Sequence, residues 1–598
     1  MAEPVTRLVL ISHPRHLDAA RNAGPGALVV STDWLTCRQL EREGVAVRHV
    51  DAMLGDYDPP ADVLLRHGEW MIEAGGEVGL LDGMSTAKAL NREVELSVLG
   101  FQRLWHALDG FCRVYAPKEL VLYDLRGEYG QVGDTQKRIL VQALAASHGL
   151  TVVDRLDPPD DIRHFHDVLG IGAPLRPKGA KAVLRNLLAD LTDLAFRLLR
   201  PFRRKTGGVL FFLNPLMEQG LLESWPGGPA GTVLIAQRSP KSLSFLRDCL
   251  RRGATLASLP RLSLTREEVR RLEAGAADLR EHWRTHPPAA PVEAARRAHV
   301  EEKILTNGRL LDFAAEAKSY RALLTRHRVA RVVVGDATNT SGRLIVEAAH
   351  AAGIPADELL NGMFVHDCAY DIRCGDRCGP PKLSRLLSWG PSQEDWLRRI
   401  GSKLPTARVG YPGLDPVRRG SAALSLPPVG RGRVLLLPGT SSIYNFRMLR
   451  GTTYSNIVDV TRMLRRLGYQ EIRLKVHPAF GPAAWAALDR EFDLGLEIVT
   501  GGSVPQQMVW ADLVIGPADS GSLVETLAAG KPYYALVPQP NSVDPAVMGP
   551  VPLYADAEAL AAALAAGEVP DRDAILDHMC DFSRIPNASA AVWRVLNQ

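Results

Sequence analysis

The chain lacks several features that mark specialised protein classes. Its seven cysteines are scattered through 598 residues and odd in number, which argues against a disulfide framework and favours a reducing compartment. Lys plus Arg number 71 against 67 for Asp plus Glu, an excess too small to favour nucleic acid as a partner. No uninterrupted apolar run reaches the roughly 18 to 20 residues that a membrane-spanning helix needs. The first residues read as a strand and not as a secretory signal, so the expected location is the cytoplasm.

The arrangement of apolar residues predicts the fold class. Short runs of Val, Leu and Ile alternate with amphipathic stretches, the pattern of a buried parallel sheet covered by helices. A chain of 598 residues also exceeds the roughly 250 to 300 residues at which a single core stops growing. We therefore predict an α/β protein with three doubly wound sheets. The predicted divisions are an N-terminal α/β domain (1–165), a basic amphipathic helical linker (166–205), a second domain (206–415) and a third domain with a C-terminal helix (416–598).

Individual strands are predicted where apolar runs are bounded by Gly, Pro and polar residues. In the first domain these runs are 8–11, 27–30, 45–50, 119–123 and 150–153. In the second they are 209–213, 232–236, 255–259, 331–334, 386–389 and 407–409. In the third they are 434–437, 471–476, 496–499, 512–515 and 533–536.

The linker predicted between the first two domains combines apolar and basic residues, and its leucines recur at helical spacing at 184, 187, 191, 194 and 198. The basic residues in and around it are Arg176, Lys178, Lys181, Arg185, Arg197, Arg200, Arg203, Arg204 and Lys205. A helix of this kind over 181–205 can lie on an anionic membrane surface. It can equally be a connecting helix packed on a domain, with a solvated basic edge. The sequence leaves both interpretations open.

Three polar loops of the third domain follow predicted strands, and the first of them is KVHP. His477 and Pro478 come directly after the strand, where open α/β sheets bind their ligands at the carboxyl ends. The imidazole of His477 and the ammonium of Lys475 are donors suited to a phosphate. A His-Pro pair is also common as a plain strand-ending turn.

The second loop begins a helix after the strand predicted at 512–515. Ser520, Gly521 and Ser522 lie at the helix start, where unpaired backbone N–H groups and the helix dipole favour phosphate. Glu525, one turn further on, is a candidate acceptor for ribose hydroxyls. Ordinary helix capping by the serines explains the same residues equally well on local grounds.

The third loop follows the first strand of this domain and contains Gly439, Thr440 and Ser441. It lacks the lysine of a Walker A loop and the GxGxxG pattern of a dinucleotide fold, so ATPase and dehydrogenase functions lose support. Because the carboxyl ends of parallel strands meet at one edge of a sheet, the three loops together predict a pocket for a nucleotide-activated sugar.

At this point residues 206–598 resemble the GT-B family of glycosyltransferases. The resemblance rests on KVHP and on the later pattern S-x-S-x-x-E-T-L-x-x-G-K-P, which are similar to donor-side motifs of bacterial surface-polysaccharide transferases of the sialyl and Kdo type. It implies two facing Rossmann-like domains, preceded here by an additional Rossmann-like α/β domain. It also implies a cytidine-nucleotide donor, best a CMP-linked acidic sugar, and a glycan, glycolipid or glycoprotein acceptor. The family's donor-binding roles fall on His477, Ser520, Ser522 and Glu525.

The sequence departs from this family where a catalytic base is expected. A His-Gly pair found in polyol-phosphate transferases is replaced by Asn361-Gly362, and the acidic-acidic-Gly signature of many sialyltransferases is not found cleanly in 206–415. The candidate bases are therefore Asp336 and Glu218, each after a predicted strand of the second domain. His477 would act with them by meeting the charge of the leaving group. No Asp-x-Asp metal motif lies near the donor loops, so neither metal nor cofactor is expected.

Other functions stay open from the sequence. A nucleotide-sugar 2-epimerase shares this fold and would turn over the donor without an acceptor. A non-catalytic scaffold that binds glycans or nucleotide sugars would bind without turnover. The cluster His366, Cys368, Cys374 and Cys378 contains zinc-ligand residue types at an unusual spacing, and a loop over the cleft between domains is the alternative.

Overall fold

The computed structural model describes most of the chain. The described residues are 5–55, 57, 68–125, 129, 132–156, 180–198, 208–213, 215–225, 232–237, 243–337, 339–360, 362–366, 382–418, 424–439, 448–449, 451–477, 482–502 and 504–598.

Twenty strands are assigned within these residues. They are β1 (Arg7–Ile11), β2 (Ala27–Ser31), β3 (Val47–His49), β4 (Leu80–Leu81), β5 (Met84–Ser85), β6 (Glu119–Leu122), β7 (Thr151–Asp154), β8 (Gly208–Phe212), β9 (Thr232–Gln237), β10 (Thr255–Ser258), β11 (Val329–Val334), β12 (Ala356–Glu358), β13 (Arg385–Ser388), β14 (Thr406–Arg408), β15 (Arg433–Leu436), β16 (Glu471–Lys475), β17 (Glu497–Val499), β18 (Leu513–Pro517), β19 (Tyr533–Leu536) and β20 (Leu553–Tyr554).

The α-helices of the same residues lie mostly between consecutive strands. They are α1 (Leu17–Arg21), α2 (Trp34–Arg42), α3 (Asn91–Tyr115), α4 (Asp134–His148), α5 (Ala180–Leu198), α6 (Pro215–Glu223), α7 (Leu243–Arg252), α8 (Arg266–Thr285), α9 (Pro291–Val300), α10 (Arg309–His327), α11 (Thr340–Ala351), α12 (Pro391–Arg399), α13 (Thr452–Arg466), α14 (Pro482–Phe492), α15 (Val504–Trp510), α16 (Ser522–Ala528), α17 (Pro545–Met548), α18 (Ala557–Ala566), α19 (Arg572–Cys580) and α20 (Ala588–Leu596). None of the helices described is long and apolar enough to cross a membrane.

The strands form three parallel sheets, in the orders β3-β2-β1-β6-β7, β10-β9-β8-β11-β12-β13-β14 and β17-β16-β15-β18-β19-β20. In each order the chain starts in the middle, moves to one edge and then crosses to the other side, which is doubly wound topology. We call each sheet with its covering helices the first, second and third domain. The predicted α/β class with three doubly wound sheets is confirmed.

Every strand predicted from the sequence lies in one of these sheets. The strands that the sequence analysis missed are the hairpin β4–β5, the acidic strand β12 and the two-residue strand β20. The predicted boundaries at 165, 205 and 415 stay predictions, because the sheets do not define where a folding unit ends.

Part of the chain before β6 packs on the second domain. Trp70, Met84 and Val98 are buried in one apolar cluster with Leu210 and Val332 of the second sheet. This cluster joins residues far apart in the sequence into one core. The first domain is therefore fixed to the second by a shared apolar core.

Buried polar contacts accompany this shared core. The guanidinium of Arg309 in α10 binds both carboxylate oxygens of Glu93 in α3, each at 2.6 Å. The carboxylate of Glu347 in α11 accepts the backbone N–H of Ser85 in the hairpin at 3.0 Å. Both contacts join residues more than 200 positions apart in the sequence, so they exist only because the two domains pack together.

The first domain also touches the third domain, through Trp34 of α2. The indole of Trp34 lies 6.1 Å from the ring of Tyr454 and 5.6 Å from that of Phe492, measured between ring centroids. Arg42, at the end of the same helix, forms an ion pair with Glu491. The first domain is thereby held against the start of α13 and the end of α14.

A methyl group at Gly451 is expected to disturb this contact. A Cβ built on Gly451 would lie 2.2 Å from Cδ1 of Trp34, close to the root of a rigid indole. We expect Gly451→Ala to lower the free energy of unfolding by about 1–3 kcal/mol, the usual cost of overpacking. Thermal or urea unfolding of the full chain measures this loss.

Gly521→Ala is the matched control for this prediction. Gly521 is also a helix N-cap with negative φ, and a Cβ there would have no atom within 4 Å. We expect its unfolding to match that of the wild type within about 0.5 kcal/mol. Equal losses in both variants would show that the Trp34 contact carries no strain.

Candidate functional site

A cleft opens at the carboxyl edge of the third sheet, between the loops that follow β15 and β18. This is the switch point of the sheet: β16 lies on one side of β15, and β18 lies on the other. Doubly wound folds bind their ligands at this point. The empty space between these loops is about 490 Å³, which includes solvent at the open mouth of the cleft. The lining residues are Leu437, Pro438, Gly439, Met448, Thr453, Asn456, Ile457, Pro517, Ala518, Asp519, Leu536, Val537, Pro538, Asn541 and Val543.

Helix α13 begins at the rim of this cleft. Thr453 and Asn456, both in its first turns, line the open space. Among the described residues, no side chain caps this helix N-terminus, which begins after Gly451. A helix start that faces a cleft offers backbone N–H groups and a positive dipole to an anion. The sequence analysis missed it, although Gly followed by Thr-Thr is a recognisable helix-start signal.

A segment of the second domain contacts residues of the third domain that border the cleft. The stretch 362–366 follows β12 and runs to the third domain, where His366 forms an isolated antiparallel bridge with Val543. The backbone N–H of Asp544 donates to the carbonyl of Val365 at 2.7 Å. The indole N–H of Trp396 donates to the carbonyl of His366 at 3.0 Å. These backbone contacts hold the His366 side chain at the boundary between the domains.

The His366 imidazole contacts two polar side chains of the third domain. Its Nε2 lies 3.2 Å from Oδ2 of Asp519, which lines the cleft, and its Nδ1 lies 3.1 Å from Oγ of Ser542. A carboxylate only accepts hydrogen bonds, so Nε2 donates to Asp519, and in the neutral imidazole Nδ1 accepts from the Ser542 hydroxyl. An imidazole oriented by a carboxylate, with its other nitrogen able to accept a proton, has the chemistry of a general base.

From the sequence, His366 was predicted either as a metal ligand or as part of a loop over the cleft between domains. Its proposed companions Cys368, Cys374 and Cys378 lie outside the described residues. Within the residues that the structure describes, no group of three or more His, Cys, Asp and Glu side chains is placed to hold a metal ion. What distinguishes His366 is its contact with Asp519, which is 153 positions away in the sequence. Local sequence patterns do not reveal a contact between residues so far apart.

Glu525 in α16 forms a second contact between the domains. The hydroxyl of Tyr411, which follows β14, donates to Oε1 of Glu525 at 3.2 Å, and the Tyr411 ring stacks on Trp389 with centroids 3.8 Å apart. Burial raises the pKa of Glu525 to about 7, although the hydrogen bond from Tyr411 acts in the opposite direction. Burial and the Glu525 charge raise the pKa of Tyr411 as well. The role of Glu525 as a ribose acceptor stays a prediction.

The raised pKa of Glu525 predicts a pH-dependent stability. The unfolded chain loses this proton near its ordinary value of 4.5 and the folded protein near 7, so stability falls as pH rises between these values. Glu525→Gln removes the loss. We expect the variant to melt at a higher temperature than the wild type at about pH 8 and at the same temperature at about pH 4.5.

Glu558→Gln serves as the control for charge removal, because Glu558 is 74% exposed in its pair with Arg466 and such pairs contribute little. Its melting difference from the wild type is expected to be small at both pH values. If Glu525→Gln changed the melting temperature equally at both pH values, the pKa of Glu525 would not be raised in the folded protein.

The serines predicted to hold phosphate bond to each other. Ser520 Oγ lies 2.8 Å from Ser522 Oγ and accepts the backbone N–H of Ser522 at 3.3 Å. The Tyr533 hydroxyl donates to the carbonyl of Pro517 at 2.9 Å and lies 3.4 Å from Ser522 Oγ. None of Ser520, Gly521 and Ser522 lines the open space. The two serines therefore bond to each other at the helix start, where Gly521 is the N-cap without a side-chain cap, and their phosphate role stays a prediction.

The KVHP loop lies one strand away from the cleft. The Lys475 ammonium is buried and donates to the carbonyls of Val476 at 3.0 Å and Thr500 at 3.4 Å, and burial lowers its pKa. His477 is exposed at the strand end, and its pKa is lowered by partial desolvation and the nearby Lys475 charge. Neither residue lines the open space, and Pro478 lies outside the described residues. Their donor-binding role stays a prediction.

Of the three candidate residues after β15, only Gly439 lies within the described residues. Gly439 lines the open space, as expected for a backbone that approaches a ligand closely. Thr440 and Ser441 lie outside the described residues, so their predicted roles are not tested.

The two predicted bases lie at the carboxyl edge of the second sheet. Asp336 follows β11 and accepts the backbone N–H of Asn339 at 3.2 Å, in the turn that precedes α11. Glu218 is buried in the first turn of α6, which follows β8. Because β8 and β11 are neighbours, the structure brings both carboxyls to the switch point of that sheet. Neither lines the open space of the third domain, and their catalytic role stays a prediction.

The second and third domains face each other with the carboxyl ends of their strands. Contacts between segments that follow strands on both sides, His366 with Asp519 and Tyr411 with Glu525, establish this orientation. The C-terminal helix α20 returns to the second domain, where the indole N–H of Trp593 donates to the carbonyl of Leu221 at 2.8 Å. The architecture is GT-B. The first domain is an addition to this GT-B pair.

No known protein family and no curated protein matches the chain. Among solved structures, UDP-GlcNAc 2-epimerase from Neisseria meningitidis bound to UDP-GlcNAc is 12% identical, with a TM-score of 0.39 over 66% of this chain and 99% of that chain. The glycosyltransferase SnogD from Streptomyces nogalater is 16% identical, with a TM-score of 0.36 over 65% and 99% of the two chains. At these identities and TM-scores, the comparisons assign neither substrate nor activity.

Proposed function

We propose that this protein is a glycosyltransferase that moves a sugar from a nucleotide-activated donor to a surface polysaccharide or another glycoconjugate. The observation that carries the proposal is the cleft at the switch point of the third sheet, where His366 of the second domain contacts Asp519 of the cleft lining. A nucleotide needs a largely apolar cleft with a few convergent polar groups. Thr453, Asn456, Asp519 and Asn541 supply those groups among apolar side chains.

The start of α13 is proposed to hold the donor phosphate. Thr453 and Asn456 in its first turns line the open space, and the positive end of the helix dipole favours an anion there. The backbone N–H groups of Thr452, Tyr454 and Ser455 already donate to the carbonyls of Leu449 and Gly451. The positive potential at this helix start would stabilise the negative charge on the phosphate of the departing nucleotide. This mechanism requires no metal, in accord with the lack of an Asp-x-Asp motif near the donor loops.

His366 is proposed as the base that removes the proton from the acceptor hydroxyl. Nδ1 is the nitrogen that accepts in the present hydrogen-bond pattern, while Asp519 accepts from Nε2 and stabilises the imidazolium that forms. A donor bound in the cleft and an acceptor entering from the second domain would meet at this imidazole. His366 is a better candidate base than Asp336 or Glu218 because its hydrogen-bond partner, Asp519, lines the cleft.

The donor is proposed to be a cytidine nucleotide, best CMP linked to an acidic sugar. This part rests on the similarity of the motifs around His477 and Ser520 to bacterial sialyl and Kdo transferases. The acceptor is proposed to be a glycan, glycolipid or glycoprotein.

A nucleotide-binding panel tests the proposed donor site. The melting temperature of the full chain is measured with CMP, CDP, UDP, GDP and ADP, because a ligand that binds only the folded state raises it. We expect a shift with cytidine nucleotides that is lost in Asn456→Ala and kept in Ser455→Ala. Ser455 is the matched control, since its hydroxyl donates to the carbonyl of Thr452 in the same helix and does not line the cleft.

Each outcome of the panel decides a part of the proposal. A shift with uridine or guanosine nucleotides alone would keep the site and overturn the cytidine donor. No shift with any nucleotide would overturn the nucleotide-sugar function.

The reaction class is decided by incubation with the nucleotide sugar that binds. Release of nucleotide only when an acceptor glycan is added supports glycosyl transfer. Turnover of the donor without an acceptor would instead identify an epimerase, and binding with no turnover would identify a scaffold.

A further inference from the structure

Helix α5 presents a row of leucines to solvent. The exposed fractions are 57% for Leu184, 52% for Leu187, 46% for Leu188, 53% for Leu191, 44% for Leu194 and 67% for Leu198. Apart from the adjacent pair Leu187 and Leu188, these positions recur at intervals of three and four residues, so they lie on one face of the helix. Single exposed apolar residues are ordinary on protein surfaces, but a contiguous row of six marks an interaction site.

The opposite face of α5 fastens the helix to the second domain. Phe196 is 6% exposed and belongs to the same buried cluster as Val209 and Leu256 of the second sheet. At the edge of the leucine row, the guanidinium of Arg261 also lies 3.4 Å from the carboxylate of Asp190. The helix is therefore anchored on one side, and its leucine face points away from the domain.

The sequence around this face carries a strong positive charge. Residues 176–205 contain nine Lys and Arg against two Asp. Three of the nine (181, 185 and 197) and both Asp lie within α5, and the other six flank it in sequence outside the described residues. A second copy of the same helix would bring equal positive charge to the interface and repel it. An anionic surface would attract it, at about 1 kcal/mol for each basic residue near the lipid.

We propose that the leucine face of α5 docks this protein on the surface of an anionic lipid bilayer. An amphipathic helix binds in this way by burying its apolar face at the boundary between headgroups and acyl chains, while basic residues contact the headgroups. Leucines supply apolar contact, and the flanking charge supplies selectivity for anionic lipid. This inference does not depend on the proposed transferase activity.

Vesicle sedimentation of the full chain tests the docking surface. The probes are vesicles of phosphatidylglycerol with phosphatidylcholine and vesicles of phosphatidylcholine alone. We expect binding to the anionic vesicles that weakens as salt is added, and little binding to the neutral vesicles. Leu187→Glu with Leu191→Glu is expected to weaken binding at least about tenfold, because apolar contact is lost and like charge is added.

The leucine variant changes exposed side chains only, so its fold is expected to persist. Val114→Glu is the matched control, since Val114 is 65% exposed on helix α3 of the first domain. Its binding is expected to equal that of the wild type. Arg203→Glu with Arg204→Glu is expected to reduce binding to anionic vesicles only.

Three results would overturn the proposal. The first is wild-type protein that stays in solution with anionic vesicles. The second is a leucine variant that binds as well as the wild type. The third is a dimer, detected by light scattering, that the leucine variant separates while vesicle binding is absent, which would make this face an interface between copies.

Discussion

Replacement of His366 by asparagine is expected to slow glycosyl transfer by about 10²- to 10⁴-fold, the usual contribution of a general base. Asparagine retains a polar group near Ser542 and leaves the backbone contacts with Trp396 and Val543 in place. The loss is therefore expected in kcat, with the affinity for the nucleotide changed by less than about threefold. Initial rates at saturating donor and a separate binding titration measure the two quantities.

His477→Asn provides the comparison for this variant. His477 is exposed and does not line the cleft, so its rate is expected to fall by less than about tenfold. A large loss in His477→Asn with little loss in His366→Asn would restore the assignment made from the KVHP motif and remove His366 from the mechanism. If both variants bind the nucleotide equally well, a difference between their rates does not come from altered donor binding.

Replacement of Arg309 by methionine is expected to lower the free energy of unfolding by about 3–5 kcal/mol. The side chains of Arg309 and Glu93 are 6% and 8% exposed, and the variant leaves the Glu93 carboxylate buried without the guanidinium that binds both its oxygens. Urea unfolding, followed by tryptophan fluorescence, measures the loss as a lower midpoint.

Two further variants show whether burial causes this effect. Arg321→Met, on the same helix, removes an ion pair with Asp82 whose side chains are 39% and 47% exposed, and it is expected to cost less than about 1 kcal/mol. The double variant Glu93→Leu with Arg309→Met removes both charges and is expected to recover most of the loss. Equal losses for Arg309→Met and Arg321→Met would contradict the argument.

The acidic strand β12 shows where prediction of the fold ended. Asp357 and Glu358 are fully buried, yet residues of this type are rarely predicted in a central strand. The Asp357 carboxylate is paired with Arg331 and Arg385 on the adjoining strands, and Glu358 accepts the backbone N–H of Ala337 at 2.8 Å. Arg331 and Arg385 lie on the neighbouring strands and Ala337 lies just after one of them, so no local pattern reveals that the buried carboxylates have partners.

The candidate site was predicted as a region more successfully than as a set of side chains. The loops after β15 and β18 were expected at one sheet edge, and Gly439 and Asp519 from those loops line the cleft. The start of α13 was missed because candidates were sought directly after strands, and Thr452 comes 16 positions after the end of β15. The contact of His366 with Asp519 was missed because Asp519 belongs to another domain.

The sequence by itself determined the α/β class, the three sheets and the positions of nearly all strands along the chain. It could do so because apolar periodicity is a local property of each strand and helix. It also located the edge where a ligand site is expected, since that edge follows from the parallel direction of the strands. Only the tertiary structure decided which polar side chains meet there. His366, Asp519 and Ser542 come together because two domains pack with their strand ends facing, and this packing depends on contacts spread over hundreds of residues.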